Sequence, residues 1–132
     1  MSQEDVHAVR DAFDAFESEG IDGLLAHLDP QIEWTTTGEF LESAVYRGHE
    51  AVRRYLSALL GEFEEVGVEA TELIDAGDQV LISLRLSGRG RRSGAPVELT
   101  MTQVSSGRDG LAVRIRNYPT KAEALKATGL QE

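Results

Sequence analysis

At Gly61 the apolar period of the chain changes, and that change limits the possible folds more than any other feature of the sequence. Before it, Val6, Val9, Phe13 and Phe16 recur at three- and four-residue intervals with acids between them, which predicts an amphipathic helix over about residues 3–18. Ile21, Leu24, Leu25 and Leu28 repeat the pattern in a short second helix that Pro30 should stop. Val52, Tyr55, Leu56, Leu59 and Leu60 give a third helix from about His49 to Glu62, apolar over so wide an arc that it must be largely buried. After Gly61 the spacing alternates: Val66, Val68 and Ala70 share one face, Glu69 and Thr71 the other. The turn chemistry of Asp75 to Asp78 leads to a half-buried strand carrying Val80, Ile82, Leu84 and Leu86. Two more strands, 97–105 and 111–118, flank the SGRDG turn, and a last short helix opens with the capping box Thr120 to Glu123 and ends at Gly129.

Helices first and then strands joined by tight turns is an α+β pattern. The expected architecture is a cone-shaped α+β barrel, a curved antiparallel sheet closed by three N-terminal helices, with all of residues 1–132 in one domain. Such a cone is wide enough to hold a cavity. The stretch QIEWTTTGEF, residues 31–40, bears on whether it does. In a strand Ile32, Trp34 and Thr36 share one face, so a large ring is followed there by a hydroxyl where a sealed core would continue with something apolar.

Other chemistries are excluded early. There are no cysteines, hence no disulfides or thiolate chemistry, and His7, His27 and His49 have no metal-type spacing, so neither a metal nor another cofactor is expected. A formal charge of −10 opposes nucleic acid and anionic membranes. Glu4, Asp5, Asp11 and Asp14 interrupt the N-terminal region, which therefore reads as neither secretion signal nor membrane span, and a cytoplasmic protein is expected. In GRGRRSG, residues 88–94, Arg89, Arg91 and Arg92 form either a solvated hairpin loop or an anion-contacting rim. The glycine spacing is not that of a dinucleotide site.

YRGHEAVRRYL (Tyr46 to Leu56), ELIDAGDQVLISLRLSGRGRRSGAPVEL (Glu72 to Leu99), RDG (Arg108 to Gly110) and KAEALKATGL (Lys121 to Leu130) together resemble the SnoaL-like branch of the nuclear transport factor 2-like superfamily. The resemblance spans nearly the whole chain and implies a cone with a deep pocket, commonly in a homodimer formed through the outer face of the sheet. Its members include polyketide cyclases, ketosteroid isomerases, epoxide hydrolases and dehydratases, so it says more about fold than about activity. Their catalytic groups are not matched here. The general-base position of the steroid isomerases falls at Trp34, their first-helix tyrosine is replaced by Phe13 and Phe16, and their later aspartic acid falls near Thr102. The Asp, Arg, Asp set of the epoxide hydrolases falls at Leu84, Leu86 and Asn117, and the acidic cyclase position at Asn117 or Thr120.

What remains is a pocket of hydrogen-bonding groups. Tyr55 and Asn117 are the candidate catalytic residues, as hydroxyl and amide donors, and Trp34 is the candidate stacking surface, although a plain core role fits it equally. Thr36, Phe40, Tyr46, Leu59, Leu84, Leu86, Thr100, Thr102 and Ile115 complete the expected substrate-binding wall, with Phe40 and Leu41 in a loop that could form a flap. The preferred register turns Val113, Ile115 and Asn117 inward beside Val104, Thr102 and Thr100. The competing register sends Met101, Gln103, Arg114 and Arg116 inward, at the cost of an arginine pair without a carboxylate. In the preferred register Leu99, Met101, Gln103 and Tyr118 form the outer, dimer-forming face. His49 reads as a solvated helix-terminal residue near the expected cavity mouth. The expected partner is a small, largely apolar molecule bearing a carbonyl or hydroxyl. The enzymes implied by the resemblance suggest cyclisation, isomerisation or dehydration, and the alternative is a non-catalytic dimeric ligand-binding or interaction module.

Overall fold

The computed structural model describes residues 2–36 and 44–129, with side chains from residue 5 onward. The order of elements is α1 (Ser2–Leu25), β1 (Leu28–Thr36), β2 (Ala44–Arg47), α2 (Gly48–Gly61), β3 (Phe63–Asp75), β4 (Gln79–Gly90), β5 (Pro96–Arg108), β6 (Leu111–Tyr118) and α3 (Lys121–Thr128). The strands form one open sheet in the order β2-β1-β6-β5-β4-β3. The α+β class follows, with three corrections to the expected cone. The sheet is not closed. It is mixed rather than antiparallel, because β1 runs parallel to β6. And only α1 is N-terminal to the whole sheet, since α2 lies between β2 and β3 and α3 ends the chain.

The two expected N-terminal helices are one kinked element. Gly20 breaks the helix at φ 73°, ψ −152°, a conformation that only glycine adopts without strain. The kink folds the chain back so tightly that a Cβ on Gly23 would stand 2.4 Å from the Ala15 carbonyl oxygen. Leu28 and Pro30 belong to β1, not to a helix. Pro30 is accommodated because pairing with β6 is irregular between Leu28 and Glu33, so the missing N–H falls outside the regular ladder.

α1 and α2 cover one face of the sheet and α3 part of the other. On the inner face, Leu25, Leu28, Ile32, Trp34, Val52, Tyr55, Leu56 and Ile115 pack around α2, while Val80, Ile82 and Leu84 receive Val6, Val9 and Phe13 of α1. On the outer face Leu81 and Val104 pack under Ala124 and Leu125 of α3. That helix is held as its sequence demands, with Thr120 Oγ1 accepting from the Glu123 N–H and Gly129 left-handed at φ 80°. At the end of α2, the Arg91 side chain donates to the carbonyls of Gly61 (2.9 Å) and Phe63 (3.3 Å), and Arg89 pairs with Glu65. These two arginines thus tie the β4–β5 hairpin to neighbouring structure while staying exposed, as the solvated-hairpin reading has it, and Arg91 also caps the end of α2.

One extra residue decides the facing of the last hairpin. Asp109 and Gly110, both at positive φ, make the two-residue turn favoured between antiparallel strands, with Arg108 opposite Leu111. A regular ladder would then set Val104 against Ile115 and Thr102 against Asn117. Instead the register shifts between Ser106 and Gly107, Val113 is skipped, and Ser105 faces Ile115 while Gln103 faces Asn117. Ile115 and Asn117 therefore face inward as expected and Arg114 and Arg116 outward, but the β5 half is inverted. Met101, Gln103 and Ser105 line the interior, Thr102 and Val104 belong to the outer face, and Thr100 is exposed. The expected outer patch falls with it: Met101 and Gln103 are interior, Leu99 shares their face through its pairing with Leu86, and Tyr118 packs beside α3. No described helix is long and apolar enough to cross a membrane.

The kink gives a direct test. Gly23→Ala should destabilise the fold by about 1–3 kcal/mol, since a backbone oxygen cannot move aside as a side chain can. Gly61→Ala, with nothing within 4 Å of the added methyl, should be neutral or stabilising by up to about 1 kcal/mol. Urea unfolding of the two variants measures the difference.

Candidate functional site

The two inner-face clusters do not meet completely. Between them lies a cavity of about 140 Å³, walled by α1 (Val9, Phe13, Phe16), by α2 (Tyr55, Leu56, Leu59) and by the inner residues of the sheet. Most of the wall is apolar, including Leu84, Leu86, Met101 and Ile115. Its polar groups fall in two sets. Trp34, Tyr55, Gln103, Ser105 and Asn117 come from the middle of β1, α2, β5 and β6, and all five are buried. Asp5, His27, Gly107 and Gly110 come from the ends of α1 and the β5–β6 turn, where the wall reaches exposed residues.

The first set is assembled by the parallel ladder. β1 sets Trp34 opposite Ile115 and Thr36 opposite Asn117, which brings the tryptophan and the amide onto one wall. Tyr55 reaches them from α2: its ring is tilted against Trp34 at 6.0 Å between centroids and stacked on Tyr46 at 4.5 Å. Asn117 Nδ2 donates to the Tyr55 hydroxyl at 3.5 Å, a long bond that leaves both groups close enough to share one acceptor. Burial, helped by neighbouring Tyr46, pushes the Tyr55 hydroxyl up to about 12 despite the opposing Asn117 bond, so it is a neutral donor throughout the physiological range. The indole Nε1–H of Trp34 is buried and has no hydrogen-bond partner among the described residues. A buried donor left in that state is costly, so it is either strained or made for something that enters.

Of the residues expected from sequence, Trp34, Tyr55, Leu59, Leu84, Leu86, Ile115 and Asn117 line this cavity together. Tyr46 stands behind Tyr55 and steadies its ring. Thr36 is fully buried beside the cavity, where its Oγ1 accepts from the Ala44 N–H at 3.2 Å and joins β1 to β2. Thr100 and Thr102 are on the wrong side of the sheet for the reason given above. Phe40, with the flap expected of it and Leu41, lies outside the described residues. His49 is neither at the cavity nor freely solvated: its Nε2 donates to the Leu28 carbonyl at 2.8 Å and fastens the start of α2 to β1. The lining residues absent from the expected site include Ser105, together with Met101 and Gln103, which only the competing register turned inward, all three displaced by the one-residue shift, and the α1 face with His27. The periodicity of Val9, Phe13 and Phe16 already marked that face as buried, but not what it faces.

Among the described residues no group of His, Asp and Glu side chains could hold a metal ion. What the wall offers chemically is a row of neutral hydrogen-bond donors beside an aromatic surface.

The sequence of residues 9–115 matches the model of the SnoaL-like domain. The chain belongs to this family. Its fold recurs in solved structures over nearly full length. An NTF2-like protein of Burkholderia thailandensis is 27% identical with a TM-score of 0.75, over 92% of this chain and 94% of that one. A protein of Jannaschia, provisionally described as a SnoaL-like polyketide cyclase, is 17% identical with a TM-score of 0.76, over 99% and 95% of the two chains. TerC, crystallised with polyporic acid, is 19% identical with a TM-score of 0.75, over 96% and 98%. Among curated proteins none matches the sequence.

Titration of Tyr55 is testable through stability. Because the hydroxyl is raised in the folded protein from about 10 to about 12, its contribution is complete below pH 10 and is lost as pH rises toward 12. Tyr55→Phe should remove that component, on the order of 2 kcal/mol, from the alkaline loss of stability. Denaturant titrations of both proteins between pH 8 and 12 measure it.

Proposed function

We propose that this SnoaL-like protein, taken as one domain over residues 1–132, binds a small, largely apolar molecule through a carbonyl or hydroxyl oxygen. The observation that carries the reading is the cluster of Trp34, Tyr55 and Asn117 on one cavity wall, with Gln103 beside Asn117. Apolar walls supply the favourable burial and the few donors supply orientation. TerC, crystallised with polyporic acid, adds that a relative of this fold has been obtained with an organic ligand.

The same donors suit catalysis of one kind. A carbonyl oxygen accepting from the Tyr55 hydroxyl and the Asn117 amide would be polarised, and negative charge developing on it during an aldol-type cyclisation, isomerisation or dehydration would be stabilised. Tyr55 with its high pKa can lend a proton but does not abstract one near neutral pH. Of the described lining residues only His27 and Asp5, at the exposed margin, could act as a base there. The reading keeps the protein in the cytoplasm, as expected from its sequence.

A second feature supports the homodimer. Arg116 projects from the outer face of the sheet between Thr35 and Val104, and its Nε is buried without a hydrogen-bond partner among the described residues. A second copy packed on this face would supply an acceptor. The contact would then involve Arg116, Thr100 and Thr102 rather than Met101 and Gln103.

Both parts are open to measurement. Tyr55→Phe and Asn117→Ala should each weaken calorimetric binding of a ketone by about tenfold, while binding of the corresponding hydrocarbon is unchanged. Equal loss for both ligands, or no loss, would refute the assigned roles. In analytical ultracentrifugation Arg116→Glu should sediment as a monomer where the parent is a dimer; a monomeric parent would refute the interface.

A further inference from the structure

The cavity restricts its ligand more sharply than the fold does. Its volume of about 140 Å³ falls below the roughly 300–1,000 Å³ of pockets for drug-sized molecules, and is close to the roughly 150 Å³ of an engineered cavity that takes up benzene. The walls leave little freedom to expand, since Phe13, Leu84 and Ile82 pack on one side and Trp34, Tyr55 and Ile115 on the other as parts of the two clusters. Charge is restricted as well. Among the described residues no lysine or arginine lines the cavity, because the bulge in the last hairpin leaves Arg114 and Arg116 on the outer face, so a carboxylate held between Tyr55 and Asn117 would have no permanent cation beside it, and His27 is the sole described lining group able to take up a positive charge. Among the described lining residues a cation would find only Asp5.

From this we infer that the cavity is selective for an uncharged molecule built on a single ring, with one carbonyl oxygen bound between Tyr55 and Asn117 and the ring lying against Trp34. The inference rests on the reading above and narrows it: multi-ring compounds and carboxylates are excluded, the first by volume and the second by desolvation. Tyr55 stays neutral under all ordinary conditions, so it adds a donor without adding charge. The wall residue best placed to set the size limit is Met101, which lies opposite Leu84 on the neighbouring strand and has an unbranched side chain whose removal opens space without disturbing a ring contact.

The single tryptophan provides the assay, because its indole N–H gives one signal in a ¹⁵N–¹H correlation spectrum. The ¹⁵N-labelled protein is titrated with acetophenone (one ring, neutral), benzoate (one ring, anionic), tetramethylammonium and 2-acetonaphthone (two fused rings). A saturable shift of the indole signal with acetophenone, at least tenfold weaker with the other three, supports the inference. It is further supported if Met101→Ala brings 2-acetonaphthone to within about threefold of acetophenone. Equal or tighter binding of 2-acetonaphthone by the parent protein overturns the size limit while leaving the binding function standing, and equal binding of benzoate or tetramethylammonium overturns the charge limit in the same way. No saturable shift with any of the four, in protein whose remaining amide spectrum shows it folded, overturns both the inference and the binding function from which it starts.

Discussion

The parallel ladder between β1 and β6 is the contact on which the rest of the structure depends. It joins the first strand of the chain to its last and places Trp34 beside Ile115 and Thr36 beside Asn117. Without it β1 and β2 would have no sheet to join, α2 would have nothing to cover, and Tyr55 would meet neither the indole nor the amide. Parallel pairing also requires a long connection, and here that connection holds α2 and the whole β3–β4–β5 meander. The cavity is thus bounded by elements far apart along the chain, with α1 as roof and the middle strands as floor.

The parts of this arrangement governed by local rules were legible in the sequence. The apolar arc of α2, the alternation of β4, the Asp109-Gly110 turn, the span of β6 and both caps of α3 depend on neighbouring residues and came through as such. Long-range features did not. Nothing local states that β1 runs parallel to β6, so the sheet was expected to be antiparallel and closed. Pro30 looks locally like a helix stop, because its tolerance within β1 depends on an irregularity in pairing with a strand far along the chain. β2, only four residues long, has too short a pattern to declare itself.

The hairpin of β5 and β6 shows how small a defect divides a correct reading from an incorrect one. Arg114 and Arg116 would be too costly to bury without a carboxylate, so they face outward and Ile115 and Asn117 inward, a constraint that concerns β6 alone. Transferring that result to β5 assumed a regular ladder. The bulge at Val113 reverses the parity, exchanging Thr100 and Thr102 for Met101, Gln103 and Ser105 on the inner face. The candidate site was accordingly legible on β1, α2 and β6, and illegible on β5. The bulge also changes the character of the wall, replacing two hydroxyls with an amide, a thioether and a hydroxyl.

The separation of β1 from β6 along the chain has a consequence for how the molecule comes into being. Trp34 and Ile115 lie about eighty residues apart, so the ladder that joins them closes a large loop and carries an entropic cost that local turns do not. The β3–β4–β5 meander, linked by short hairpins, can form while that loop is still open. β1, with Ile32 and Trp34, has no β6 to join until that strand has been synthesised, and its edge toward β6 must stay unpaired until then. The cavity is therefore among the last features to exist. Until β6 has been made, Trp34 can meet only partners from the earlier part of the chain, such as Tyr55 of α2, and only with Ile115 and Asn117 in place does it become a wall.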